Sequence, residues 1–360
     1  MWRLERRPEP SRAWSAAAPL VAVAATMLVA SVLVAAAGAP VGAAARALIE
    51  GAFGSRFAIT ETLTRATPLV LTGLAAAVAF RAKLFNIGGE GQLHAGAIAA
   101  VAVGGLHGGA DTAAWVAAGV PAVVVQAAML AAAALAGAAL LLVPAWLKLR
   151  TGADEVVTTL LLNFIVLLAV SALLDGPMKD PAALGWPQSV AIAPEVALEP
   201  VVERSRLHSG AVVALGAALG VAVLWRFTTL GFAVRAVGEN AAAARYAGIG
   251  LTRTTVAVAL LSGGLAGLAG AVEVAGRAGY VTLDMATGTG YAGIVIAMLA
   301  ALHPIGVVLA SVFVAAVLVG ADSMGRQLAV PSAIADVIVA VALLAMLCAA
   351  LAATHRLRRR

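Results

Sequence analysis

The chain has 360 residues, 62% hydrophobic and only 12% charged, with a mean hydropathy of +0.99. That is more apolar sequence than one water-soluble core buries, so a soluble domain is excluded and the fold class is an all-α polytopic membrane protein. The net charge of +6 with 5% aromatic residues does not describe a nucleic-acid binder, because most basic residues lie in short segments between apolar runs, where orientation in the lipid bilayer accounts for them.

In chain order, a basic amino terminus (1–15) precedes a permease-like membrane domain (16–353), and a basic tail (354–360) follows. The domain holds ten runs near the roughly 20 residues needed to cross a bilayer. They fall at about 16–37, 61–80, 87–107, 113–145, 155–174, 209–226, 254–274, 289–302, 304–321 and 332–353. The first resembles a signal peptide in its arginine-rich start and in the small residues from Ala37 to Ala45. Its apolar core is longer than the ~7–15 residues of such a signal, so it reads as a span. The eighth is short, opened by Gly288, Gly290 and Gly293 and closed by His303-Pro304, which fits a broken or re-entrant helix.

With the amino terminus inside, sixteen of the 24 Lys and Arg residues fall in the cytoplasm and eight outside, as the positive-inside rule asks. Both termini are then cytoplasmic, although Arg46, Arg56 and Arg65 flank the first external loop and run against the trend. Two connections exceed a turn. The external loop 175–208 carries five prolines and the acids Asp175, Asp180, Glu195, Glu199 and Glu203, which suit either a docking surface or a solvated loop. The internal loop 227–253 contains an alanine-rich helix of roughly 240–247, with Gly238 before it, Asn240 as its cap and Gly248 beyond it. A short helix of that kind fits a groove of a cytoplasmic protein.

The costliest segment in lipid is FNIGGEGQLHAGA, residues 85–97. Glycines beside Asn86, Glu90, Gln92 and His94 are tolerated at membrane depth only where protein or a water-filled path surrounds them. Gly89-Glu90-Gly91 opens the third span and Gly288-Thr289-Gly290 the eighth. By parity these two enter from opposite faces, the pattern of an inverted repeat whose unwound helix starts meet at a solute site. Cys348 lies alone in an apolar run and no pair of histidines has metal-ligand spacing, so neither a disulfide nor a metal site is expected.

Four blocks carry a family resemblance: FRAKLFNIGGEGQLHAGAIAA from Phe80, DEVVTTLLLNFI from Asp154, TTLGFAVRAVGENAAAARYAGI from Thr228 and YAGIVIAMLAALHPIGVVLAS from Tyr291. Together they resemble ABC importer permeases of the branched-chain amino acid and ribose class, nearest to the nucleoside and simple-sugar branch. The resemblance runs from about Thr60 to Leu351. It implies a second permease subunit, two cytoplasmic ATPases that bind ATP and magnesium, and an extracytoplasmic binding protein. It also implies that Gly238 to Ile249 is the coupling helix, so that Gly238, Glu239, Asn240, Ala243, Ala244, Arg245, Tyr246 and Gly248 are expected to meet the ATPase. Gly89 stands where alanine is common in the family and His94 where an aliphatic residue is common.

No Gly-Lys-Ser/Thr phosphate loop is present, so the chain itself is expected to bind no cofactor and to perform no catalysis. A neutral nucleoside or sugar would be held by uncharged groups, for which Asn86, Gln92, Asn163 and Tyr291 are the candidates beside Glu90. Each has another reading: Asn86 and Glu90 as braces of a broken helix, Asn163 as an interhelical hydrogen bond. Asp154 and Glu155 read as caps of the fifth span, and Glu273 with Arg277 as an ion pair. The competing function is an ion- or proton-coupled secondary carrier for a small polar solute, in which Glu90, Glu273 and Asp336 could carry protons. An intramembrane enzyme lacks any serine, histidine and carboxylate constellation.

Overall fold

A computed structural model describes residues 2–6, 12–36, 38, 40–107, 112–285 and 287–328, with isolated positions 337, 340–341, 344–345 and 348 and the segment 355–359. The described residues are mainly helical and fall into two compact units, Ala66–Ser311 and the remainder, Met1–Arg65 with Val312–Arg360.

The terminal unit holds β1 (Trp2–Arg6), α1 (Arg12–Ala36), α2 (Val41–Phe53), the start of α3 (Arg56–Arg81), the end of α13 (Pro304–Leu328) and β2 (His355–Arg359). β1 and β2 pair antiparallel, Trp2 opposite Arg359 and Arg6 opposite His355. Ala30 and Val34 of α1, Ala44 and Ala47 of α2 and Met324 of α13 form a small apolar core. Thr62 Oγ1 donates to the Ala52 carbonyl at 3.0 Å and Arg65 pairs with Asp322 at 2.9 Å. α2 is a correction to the sequence reading, which placed 41–53 in a loop. Its thirteen residues are too few to span a bilayer, so a search for spans passes over them.

The larger unit is built around α4 (Gly89–Gly104), α6 (Ala122–Thr151) and α11 (Leu251–Glu273), which pack on one another. Lipid gives no hydrophobic drive for helix association, so close backbone approach must supply the attraction. Glycine makes the approach possible. A Cβ on Gly96 would collide with the Gly267 carbonyl, on Gly270 with the Leu93 carbonyl, and on Gly137 with the Gly263 carbonyl. Around this centre lie α5 (Ala114–Ala117), α7 (Glu155–Asp175), α8 (Gly210–Phe227), α9 (Thr229–Glu239), α10 (Ala241–Tyr246) and α12 (Thr289–Leu299). α7 and α8 turn Phe164, Leu168, Leu215 and Leu219 outward, as lipid-facing helices do.

Six helices among the described residues are long and apolar enough to cross a membrane: Arg56–Arg81, Ala122–Thr151, Glu155–Asp175, Gly210–Phe227, Leu251–Ala278 and Pro304–Leu328. The ten expected spans are therefore not all found as such. α4, the third, has 16 residues, its start set at Gly89, and α12, the eighth, has 11, starting at Thr289 as read but ending at Leu299 before the left-handed residues Ala301 (φ +47°) and Leu302 (φ +61°). The fourth begins at Ala122 rather than near 113, because Gly119 (φ +84°) and Pro121 break the chain first, and it ends at Gly152 in a left-handed cap. The tenth, 332–353, lies outside the described residues apart from a few helical positions.

The loop after α7 is no loose connection. Val190, Ile192, Ala193, Val196 and Leu198 are buried, and the backbone bonds Ser189 to Val281, Ile192 to Gly279 and Leu198 to Ala275 lay it over the end of α11. Gln126 Nε2 donates to the Ala197 carbonyl at 2.9 Å. The acids Asp175, Glu195, Glu199 and Glu203 face outward.

Candidate functional site

The glycine-rich motif brings the two interrupted helices into contact. After α3 the chain turns at Lys83, whose φ is +54°, and runs without regular structure to Gly89, where α4 begins. α12 begins against it: a Cβ on Gly290 would collide with the Glu90 amide, and one on Gly89 would lie 3.4 Å from the Gly290 carbonyl oxygen. The Glu90 carboxylate closes the junction, accepting from Gly288 N at 2.7 Å and from Gly290 N at 2.7 Å. An acceptor in the first turn of one helix thus satisfies the orphan amides at the start of another, some 200 residues away.

The other polar side chains of the motif are paired as well. Asn86 and Gln92 exchange two amide hydrogen bonds, each of 2.9 Å, and Asn86 Nδ2 also donates to Ser262 Oγ at 3.1 Å. Ser262 in turn donates to the Ala75 carbonyl at 2.8 Å. Asn163 Oδ1 accepts from Gly91 N at 2.8 Å, while its Nδ2 donates to the Ile87 carbonyl at 2.9 Å and to the Tyr291 hydroxyl at 3.1 Å. Asn86, Glu90, Gln92 and Asn163 are at most 4% exposed, whereas Tyr291 is 38% exposed. His94 is fully buried, its ring nitrogens 3.0 Å from the Glu90 carbonyl and 3.3 Å from that of Leu283.

The five residues named from the sequence as a substrate path therefore lie in three adjacent hydrogen-bonded groups: Asn86 with Gln92, Asn163 with Tyr291, and Glu90 with the amides of Gly288 and Gly290. Ser262, Thr159 and Thr72 are members that sequence reading missed. Thr159 Oγ1 accepts from Ile87 N at 3.2 Å and Thr72 Oγ1 donates to the Thr289 carbonyl at 3.1 Å. Their only signal was a hydroxyl within an apolar run. Asp154 caps α7, accepting from Val156 N at 2.8 Å. Glu155 instead pairs with Lys148 at 2.5 Å and accepts from Phe85 N at 3.2 Å, so it braces the motif from below. Glu273 and Arg277 form the expected ion pair, at 2.5 Å. Asp336 lies outside the described residues.

The 227–253 loop holds two helices where one was read. Thr228 caps α9, accepting from Gly231 N at 3.0 Å. Gly238 lies inside the last turn of α9, and Asn240 follows in extended conformation. The Asn240 side chain caps α10, accepting from Ala242 N at 3.0 Å and Ala243 N at 3.1 Å, and Gly248 (φ +82°) ends it. Glu239, Ala243, Arg245 and Tyr246 are exposed, Tyr246 almost fully, whereas Gly238 and Ala244 are buried.

Residues 58–349 match the family described as branched-chain amino acid transport system / permease component. The chain is 35% identical to the guanosine ABC transporter permease protein NupP of Bacillus subtilis, over 91% of each chain. It is 36% identical to the glucose ABC transporter permease protein TsgB13 of Haloferax volcanii, over 81% of this chain and 76% of that one. The nucleoside ABC transporter permease protein NupB of Lactococcus lactis is 29% identical over 81% and 80%. No solved structure gives a significant match. The chain belongs to the permease components of the branched-chain amino acid transport system family, as the membrane-spanning subunit of an ABC transporter and not an enzyme.

Proposed function

We propose that this permease imports an uncharged nucleoside or simple sugar, released to it by an extracytoplasmic binding protein and driven by two cytoplasmic ATPases that carry the ATP and magnesium. A second permease subunit, a like or unlike copy, completes the pore. The observation that carries the substrate class is the kinship over 91% of the chain with a guanosine permease, beside relatives named for glucose and nucleosides. The junction supports it: beside the Glu90 clamp and the His94 ring, its polar side chains are amides and hydroxyls, which suit a neutral polyol.

In this reading α4 and α12 are the two broken helices of an inverted repeat, with Tyr291 at the path and Asn86, Glu90, Gln92 and Asn163 holding the helix starts in register. Opening and closing of the path require the pair to have two arrangements, and the ATPases select between them through α10. Glu239, Asn240, Ala243, Arg245 and Tyr246 form the surface offered to the ATPase, while Gly238, Ala244 and Gly248 shape the helix behind it. The ladder between β1 and β2 pairs residues 2–6 with 355–359, which, with the basic tails, supports an even number of crossings and two cytoplasmic termini in the cell membrane.

The test is uptake by liposomes carrying the whole transporter. ATP inside and binding protein outside should drive accumulation of a neutral nucleoside or sugar, and Asn86→Leu or Gln92→Leu should abolish it while membrane insertion and ATPase association persist. Uptake that needs a proton gradient and ignores ATP would overturn the reading.

A further inference from the structure

α9 is pinned at both ends by contacts without slack. It is an eleven-residue helix, about 16 Å long at 1.5 Å per residue. At its start, a Cβ on Gly231 would collide with the Leu224 carbonyl, and Arg235 donates to the Trp225 carbonyl. At its far end, a Cβ on Gly238 would collide with the Arg81 carbonyl. Lys83 Nζ donates to the Glu239 carbonyl at 3.4 Å, and the Arg81 guanidinium lies 5.6 Å over the Trp225 ring. Backbone therefore meets backbone at both ends, with no flexible side chain between to absorb a displacement.

What α9 touches leads straight to the helix junction. From Arg81 the chain passes Lys83, whose carbonyl accepts from Lys148 Nζ at 3.3 Å, and Phe85, whose amide donates to Glu155. Eight residues beyond Arg81 it enters α4 at Gly89. Past α9, by contrast, the chain is extended at Asn240 (φ −154°, ψ 102°), so α10 is joined to the strut by a single non-helical residue.

We infer that α9 is a rigid strut, pinned at Gly238 to the Arg81 carbonyl, that carries displacement of α10 to the turn before α4, with Gly238 as its positioning residue. The inference rests on α10 being the ATPase contact proposed above. Close backbone packing shifts as a body instead of bending, so a push on α10 reaches the start of α4 and the Glu90 clamp.

The experiment uses the complete transporter in liposomes, with Cys348→Ala as background. Gly238→Ala wedges a methyl group against the Arg81 carbonyl. Its ATPases should stay bound and hydrolyse ATP within about twofold of the parent, while solute moved per ATP falls about tenfold, as for residues that carry coupling between sites. Unchanged solute per ATP would overturn the strut. Lys83→Cys with Glu239→Cys, joined by a short bifunctional thiol reagent, decides the matter even where Gly238→Ala fails to assemble. A rigid body tolerates the link, so the coupled uptake that the double-cysteine variant shows before the reagent is added should persist unchanged after cross-linking. Loss of uptake on cross-linking, restored by a cleavable reagent, would show that turn and helix part during the cycle and would end the inference. Retention of the ATPases by Ala243→Glu would instead count against α10 as their contact, which keeps the two failures distinct.

Discussion

Replacing Glu90 by Gln perturbs the junction between α4 and α12 at a single atom. The carboxylate accepts from two amides of the α12 start, each at 2.7 Å, and hydrogen bonds to a charged acceptor contribute about 1.5–3 kcal/mol apiece. Glutamine keeps one oxygen, now neutral, and turns its NH2 toward the other amide, which is left without an acceptor. The loss at the clamp is then about 2–3 kcal/mol, or about 30- to 160-fold in the equilibrium for local opening. Hydrogen exchange of the peptide covering 287–292 in the purified protein reads that opening directly. Exchange there should speed up by this factor while α6 and α7 exchange as before. Unchanged protection at 287–292 in Glu90→Gln would refute the clamp.

Three further outcomes follow from other parts of the fold. Gly270→Ala or Gly137→Ala should destabilise the protein by about 1–3 kcal/mol or more, read as a lower unfolding midpoint in detergent. Gly216→Ala or Gly220→Ala, with open space at the Cβ, should be neutral or gain about 0.5–1 kcal/mol of helix preference. His208, before α8, has its pKa lowered to about 4 by burial and then by Arg277, so it is neutral in the fold while the unfolded chain takes up the proton below about 6.5. Its contribution is whole above pH 6.5 and lost as pH falls toward 4, and His208→Gln should flatten that part of the stability profile. Leu184→Cys, fully exposed, should react with an impermeant thiol reagent from outside, with a carboxyl-terminal reporter active only in the cytoplasm. Ser189→Cys, at a fully buried position, should not react.

The polar junction was legible because amides, a carboxylate and glycines inside an apolar chain have few uses. What sequence could not give was pairing. The partners of Glu90 lie 198 and 200 residues away, and whether Asn163 met solute or backbone depended on a contact with Ile87 that no local pattern reports. Asn240 as a helix cap was readable, since capping is local and its Asx geometry is set within three residues. α9 was not, because Gly238 read as the boundary before a single helix when in fact it permits a close approach to the Arg81 carbonyl. The external loop shows a similar limit. Its prolines announced irregular backbone, but the alternate apolar residues Val190, Ile192, Val196 and Leu198, which seat it, carry no signal until the surface they cover is known. Hydropathy likewise set the start of the fourth span too early, because the run from 113 stays apolar across Gly119 and Pro121.

The most direct test of ATP-driven transport through α10 is Ala243→Glu. Ala243 lies on the exposed side of a helix whose neighbour Ala244 is buried, so the change adds volume and charge to the offered face without entering the fold. Copurification of the ATPases and ATP-dependent uptake should both be lost at normal expression. Uptake at full rate, following the proton gradient with no ATPase bound, would contradict the assignment.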